Sequence, residues 1–468
     1  MASITPEADL DTQATAAPGL SARTPGAAEP PWPAPRTAWF VLVMIGIVTM
    51  FGQMDRAIIY LLVGSIKKDL ALSDTQMSLL MGLAYSSAYF LIGLPMARLA
   101  DVGTRKFILP GALAFWSFGT TCCAFAGSFT SFFVARMIIG GGESVKGPSS
   151  VSLISDCFER AKLPRAFAFY NLSIRGGEAI AQIFGGLLIG YFATVSLVSL
   201  PLLGEFRGWH MVFLIFGAPG ILFALIFMLT VREPARHGRR RKGSVPVREV
   251  AHFLFKSPAR RVLIPILLAA AIHNIEVVGI GSWRPTFYER TYGWGPADFG
   301  PIIGITGLIT TPVGLLLGAY LSERLARNGY HDANMRLVLW TQIGALPLAI
   351  VSPLMPNFEL ALACSVLSTL LITMSAPSQL AAMQVVTPNE LRAQVNAIYL
   401  FTLSVLGSGL GPTVIALMTD YLFQSEGSLR YAMVTAAAIA EPISLWLIWT
   451  AVKPYGEAAK ADSEAHAA

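Results

Sequence analysis

The chain has 468 residues, of which 13% are charged and 54% hydrophobic, with a mean hydropathy of +0.59. A typical soluble domain carries about twice that charged fraction, so these values exclude a water-soluble globule and point to an all-α polytopic membrane protein. Four cysteines (Cys122, Cys123, Cys157, Cys364) lie in or beside apolar stretches without metal-ligand spacing, which sets zinc and disulfide roles aside.

Residues 1–36 are Ala/Pro/Thr-rich and contain seven prolines, which predicts a disordered tail. They hold no apolar h-region and no basic n-region, so they do not read as a cleaved signal peptide. Apolar segments of spanning length then recur near 38–64, 77–99, 107–127, 131–155, 166–193, 209–231, 261–284, 298–322, 336–355, 358–386, 393–420 and 430–452. Twelve is even, so both termini share one side. With the amino terminus inside, 24 Lys and Arg fall in inside loops and tails and six in outside loops. This is the positive-inside pattern and predicts cytoplasmic termini. The run Arg239-Arg240-Arg241-Lys242 then belongs to a cytoplasmic connector at 232–260, and no nucleic-acid partner is expected. The connector separates a six-helix bundle at 37–231 from a second at 261–455. A tail at 456–468 reads as disordered like the first.

The halves resemble each other. Leu99-Ala100-Asp101 after span two matches Leu321-Ser322-Glu323 after span eight, and Pro148-Ser149 in span four recurs as Pro377-Ser378 in span ten. Two parallel six-span repeats around a central pathway imply a transporter with its substrate handled near the midplane.

A charge inside the bilayer costs about 2.5–3.5 kcal/mol on insertion scales unless it is paired or hydrated, so the intramembrane charges carry the information. Asp55 lies about seventeen residues into span one, next to Arg56. Neighbours on a helix diverge by 100°, so each needs a partner elsewhere. Arg136, Gly140, Glu143 and Gly147 form one stripe of span four, with Arg136 roughly 10 Å along the axis from Glu143. Asp55 and Glu143 are the expected protonation pair, with Arg136 biasing both by its charge. Glu143 is expected to alternate between Arg136 and a partner on span one. Lys146 reads equally as a cavity cation or as a plain i, i+3 partner of Glu143, and Arg175 as a headgroup anchor or as an i, i+3 partner of Glu178. With Arg56 they are candidate substrate-binding residues. His273 and Glu276 in span seven join them, since a histidine can titrate near neutral pH. Glu441 in span twelve reads as structural.

Met96-Ala97-Arg98-Leu99-Ala100-Asp101-Val102-Gly103-Thr104-Arg105-Lys106 resembles the signature loop between spans two and three of the major facilitator superfamily, Gly-x-Leu-Ala-Asp-Arg-x-Gly-Arg-Lys. Asp101, Arg105 and Lys106 match, while Ala97, Val102 and Thr104 depart from it. Asp55-Arg56, Ser73-Asp74-Thr75-Gln76 and the stretch Arg136 to Ser144 resemble the spinster lineage within that superfamily. The resemblance implies that Asp101, Arg105 and Asp156 lock a cytoplasmic gate, with Arg105 paired to Asp156. It also implies lysophospholipids or sphingoid phosphates as substrates.

Span ten carries no charge between Leu360 and Thr387, whereas spans one and four bring five. One charged wall and one apolar wall suit an amphipathic lipid, with Leu367, Leu371, Met374 and Met383 offered to its tail. No nucleotide-binding loop, clustered histidines or nucleophile elbow is present, which argues against a pump or an enzyme. The expected function is proton-coupled lipid transport by alternating access. The coupling ion is the proton, with no cofactor or metal; the partners are a membrane lipid substrate and the bilayer, and the protein is a monomer of the bacterial inner membrane. A proton-linked carrier of small organic anions or drugs is the alternative, and an uncoupled lipid pathway or receptor is the second.

Overall fold

The computed structural model describes residues 31–159, 161–195, 197–200, 204–236 and 247–467; side chains at 94, 97–102, 200, 247, 393, 462–463 and 465–467 are outside that description. Apart from a short hairpin, Val198–Leu200 with Gly204–Phe206, the described chain is helical.

Among the described residues, nine helices are long and apolar enough by themselves to cross a bilayer. They are spans one (Pro35–Leu61), five (Leu163–Ala193), six (Gly208–Thr230), seven (Arg260–Tyr292), eight (Pro296–Arg327), nine (Ala333–Leu354), ten (Phe358–Val385), eleven (within Gln394–Leu422) and twelve (within Glu426–Ala461). The remaining three segments expected to span are helical too. Span two is a π turn, Leu79–Leu83, continued by Ala84–Val102; span three is Arg105–Cys123; span four is Phe129–Glu143 broken by a turn before Lys146–Cys157.

Local chemistry sets where these helices begin. Ser73 and Gln76 cap the one-turn helix Asp74–Ser78 reciprocally, so Ser73-Asp74-Thr75-Gln76 is a capping box that starts the descent into span two. Ser128 and Asn357 accept hydrogen bonds from the first turns of spans four and ten.

The last helix differs from expectation. It runs unbroken from Leu429 to Ala467, so the stretch from Glu457 is helical and not a disordered tail. The physical reason is composition: this stretch is alanine-rich, and an existing helix extends without the cost of a new nucleus. The amino-terminal tail at 1–30 and the basic run at 239–242 lie outside the described residues.

Two seams join the first six spans to the last six. Span five packs on span eight, where a Cβ on Gly186 would stand 2.3 Å from the Pro296 carbonyl oxygen. Span two packs on span eleven, where a Cβ on Gly82 would stand 2.6 Å from the Ser408 carbonyl oxygen. Glycine at these positions is what lets the backbones touch. A two-fold that carries span two onto eight carries eleven onto five, so the seams are equivalent, as a repeated architecture requires. Buried apolar side chains form one large core cluster that includes Ile45, Trp116, Phe132 and Phe213, and a second between spans seven, nine, ten, eleven and twelve around Ile266, Met335 and Tyr455.

Candidate transport and coupling site

Spans one, two and four converge on one carboxylate. Glu143 Oε2 accepts hydrogen bonds from Arg56 (Nη2 2.8 Å, Nε 3.1 Å), Lys146 Nζ (2.8 Å) and the Tyr85 hydroxyl (3.1 Å). Glu143 itself is fully buried and its Oε1 has no hydrogen-bond partner. Close helix approach makes the arrangement possible: a Cβ on Gly52 would collide with Lys146 Nζ, and one on Gly140 would fall 2.1 Å from the Tyr85 carbonyl oxygen. Two guanidinium groups flank the Tyr85 ring, Arg56 at 4.9 Å and Arg136 at 5.7 Å from its centroid.

Asp55 is 1% exposed; no cation bonds either of its carboxylate oxygens, and the Thr120 hydroxyl of span three is a nearby donor. It lies in the electrostatic field of Glu143, Arg136 and Lys146. Arg136 does not reach the Glu143 carboxylate. Its Nε donates to the Leu80 carbonyl (3.1 Å) and its Nη1 to the Asp55 carbonyl (3.2 Å). Of the two expected partners, Glu143 is therefore with the one on span one, Arg56, in this conformation, while the Arg136 guanidinium is held by the Leu80 and Asp55 main-chain carbonyls. Gly147 of the same stripe borders open space, because the turn after Glu143 interrupts the helix.

The other candidates divide. Arg56 is engaged by Glu143 but keeps a third of its side chain exposed. Lys146 forms the i, i+3 bridge that its spacing allows. Arg175 pairs with Glu178 at 3.1 Å, with both side chains about half exposed. His273 Nδ1 lies 2.7 Å from Glu441 Oε1, and buried Glu276 completes a cluster of the three. Met374 and Met383 are not open to a ligand. Met374 backs onto span eight at Gly318, and Met383 sits in the second core cluster, so both are packing residues.

At the end of the molecule that carries the connector, Arg105 is fully buried and bonds Asp156, Ser152 Oγ (2.7 Å) and Glu233 Oε1 (2.9 Å). Glu233 also accepts from the Lys106 amide at 2.6 Å, which ties the start of the connector to span three. The Asp101 side chain lies outside the described residues. Glu233→Gln should weaken this tie: a double-mutant cycle with Arg105→Gln should give a coupling of about 1–3 kcal/mol in thermal unfolding. Additive effects would show that the two residues act separately.

The opposite end is held by charges between the halves. Asp74 is fully buried and accepts from Arg290 (2.7 and 2.8 Å) and from Lys67 (2.5 Å). Glu426 adds contacts to Lys67 (2.6 Å) and Arg290 (3.2 Å), and Asp420 takes the Thr75 amide and hydroxyl, both at 2.7 Å. Burial raises the Asp74 pKa, but hydrogen bonds and charge from Arg290 and then Lys67 outweigh it and hold the carboxyl below its usual range.

A helical membrane fold in two halves, a buried charge cluster between its spans and an ionic closure at one end are the parts of a carrier. Residues 45–412 match the Major Facilitator Superfamily. The chain belongs to that superfamily. It is 25% identical to an MFS-type efflux pump of Mycolicibacterium smegmatis over 425 residues, 88% of this chain and 93% of the relative. It is 30% identical to a probable galactarate/D-glucarate transporter of Bacillus subtilis over 319 residues, 62% of this chain and 66% of that one. Its fold is similar to the inward-facing, occupied crystal structure of a bacterial homologue of the human lysosomal transporter Spinster. That likeness has a TM-score of 0.74 and 24% identity and covers 92% of this chain and 98% of the other. The protein is thus a multi-pass membrane transporter of the major facilitator superfamily, not an enzyme.

Within this superfamily member, sequence reading passed over Tyr85, Glu233, Asp420, Glu426 and the Asp74–Arg290 pair. Asp74 was within reach, since it sits inside a capping box where a carboxylate has no local cation at helical spacing.

Proposed function

We propose that this transporter is proton-coupled, works by alternating access and moves an amphipathic lipid with an anionic or zwitterionic head. One observation carries the coupling: Asp55 is buried with no cation bonded to either oxygen, beside a Glu143 that is held by two cations. A bare buried carboxylate is costly when charged, and a proton removes that cost without moving a helix. Glu143 is released for a proton when Arg56 turns to another anion. A substrate headgroup is such an anion, so substrate and proton meet at Arg56, a third of whose side chain is exposed.

The charge-free stretch of span ten from Leu360 onward and the half-exposed Leu367 support a tail-accepting wall, and the spinster-like motifs point the same way. The excess of Lys and Arg in one set of loops supports cytoplasmic termini in a bacterial inner membrane. A carrier of small organic anions is the second reading. It is favoured by the 30% identity to a galactarate/D-glucarate transporter and by the burial of Met374 and Met383.

Purified protein in liposomes, offered labelled lysophospholipids and small dicarboxylates with and without a pH gradient, separates these. The expected result is gradient-dependent lipid uptake whose affinity rises with acyl length, at about 0.8 kcal/mol per fully buried methylene, and Arg56→Ala weakening binding at every length. A tail-free anion carried as well as its long-chain analogue overturns the lipid reading.

A further inference from the structure

The second half holds a buried titratable cluster that the coupling scheme leaves unused. His273 and Glu276 lie one turn apart on span seven, and Glu441 faces them from span twelve. Glu276 is 4% exposed and Glu441 1%, and ligand atoms of all three residues lie within 4.8 Å of one another. His273 Nδ1 and Glu441 Oε1 share a hydrogen bond of 2.7 Å. Beyond that bond, Glu276 Oε2, Glu441 Oε2 and His273 Nε2 are buried with no hydrogen-bond partner. Pro442 follows Glu441, and its missing amide leaves the Ala438 carbonyl without an intrahelical donor, so the helix carries a fixed irregularity where the carboxylate sits.

Charge counting narrows what the cluster can hold. Two ionised carboxylates beside a neutral imidazole make a net charge of −2 in an apolar interior, which is prohibitively costly. Two protons make it neutral: one on the imidazole, facing Glu441, and one on a carboxyl, shared between Glu276 and Glu441. The two carboxylates are close enough to interact through a hydrogen bond when one is protonated. A divalent cation would also neutralise the charge, but its ligands would have to give up the His273–Glu441 bond already formed. Neighbouring elements do not compensate the triad. Among the described residues, Arg284 on the same helix is an outside charge that acts on Glu276. The pieces of span eleven packed against span seven, Leu403–Ser408 and Gly409–Leu417, contain no ionisable side chain. In the rest of span eleven, Tyr399 bonds Gln379, and Arg392 bonds the carbonyls of Gln384 and Thr387. Asp55 and Arg56 of span one belong to the first cluster.

We infer that His273, Glu276 and Glu441 form a second proton-binding site, in the half opposite Asp55 and Glu143, where one proton is shared between two carboxyls beside an imidazolium. Its part in transport rests on the proton-coupled reading above, whereas its existence does not and is tested without transport. Two sites in two halves give the carrier separate places to load and release protons as the halves move.

The test is pH-jump difference infrared spectroscopy on purified protein in lipid nanodiscs. The parent should show a protonated-carboxyl C=O band at neutral pH that disappears on an alkaline jump. Glu276→Gln and Glu441→Gln, both isosteric, should each remove that same band, because the proton is shared. Asp55→Asn and Glu143→Gln should leave it in place. His273→Gln removes the cation and should move the loss of the band to higher pH. A band unchanged in both glutamine variants overturns the inference. So does calorimetric binding of Zn²⁺ or Mn²⁺ alone to the parent that Glu276→Gln abolishes. Absence of any band sensitive to Asp55→Asn or Glu143→Gln would instead count against the first coupling site and leave this one standing.

Discussion

Asp55→Asn and Glu143→Gln should both flatten the pH dependence of uptake, yet differ widely in what they do to stability. No cation bonds the Asp55 oxygens, and an amide of the same shape keeps an acceptor for the Thr120 hydroxyl, so the melting temperature should stay near that of the parent. Glu143 is the shared anion of Arg56 and Lys146, and its neutralisation leaves the buried Lys146 and the part-exposed Arg56 facing a neutral group. Breaking a buried pair in this way costs about 3–5 kcal/mol. Glu143→Gln should therefore lose thermal stability as well as coupling, and Lys146→Met in the same background should restore part of it by removing one orphaned charge. Uptake driven by a pH gradient should fall at least tenfold in both single variants, the equivalent of about 1.4 kcal/mol. Uptake in Asp55→Asn that still tracks the gradient as the parent does would remove Asp55 from the coupling scheme.

The second large effect is expected at the other end of the molecule. Asp74→Asn leaves Lys67 and Arg290 with the exposed Glu426 as their remaining anion in this network. Because both cations keep some solvent contact, the cost should sit near the low end for a buried pair, about 3 kcal/mol, or roughly a hundredfold in the ratio of closed to open states. Spin labels placed across the seam between spans two and eleven should report a longer, broader distance distribution. Acid should mimic the substitution. The closed state holds the Asp74 carboxyl below its usual range, so closure is fully stabilised at neutral pH and loses that support as the pH falls through the lowered pKa. A distance distribution in Asp74→Asn identical to the parent's would reduce the network to surface decoration.

What the sequence made legible follows the range over which each interaction acts. Apolar length placed twelve segments, and every one is helical, although span seven runs on to Tyr292 and span twelve to Ala467. Helical spacing identified Lys146–Glu143 and Arg175–Glu178, because an i, i+3 pair needs only one helix to form. The Arg105–Asp156 pair came from a signature motif rather than from spacing. Helical spacing did not reveal Arg56–Glu143, Asp74–Arg290 or His273–Glu441, whose partners lie 87, 216 and 168 residues apart. Such pairs are fixed by how spans pack, and periodicity within one span carries no record of its neighbour. Arg136 shows the limit most clearly. It shares a stripe with Glu143, but its partners are main-chain carbonyls, which every residue possesses and no sequence pattern can mark.

The uninterrupted final helix has a practical consequence. Its 39 residues from Leu429 to Ala467 span about 58 Å at 1.5 Å per residue, nearly twice the thickness of the hydrocarbon core. A well-folded fiducial protein joined in helical register near Ala467 would therefore be carried on a lever continuous with the last span, bent at Pro442 and Pro454 but without a flexible joint. Its orientation would follow that of the second half, so single-particle images could sort particles by the tilt of that half without an antibody bound to either gate.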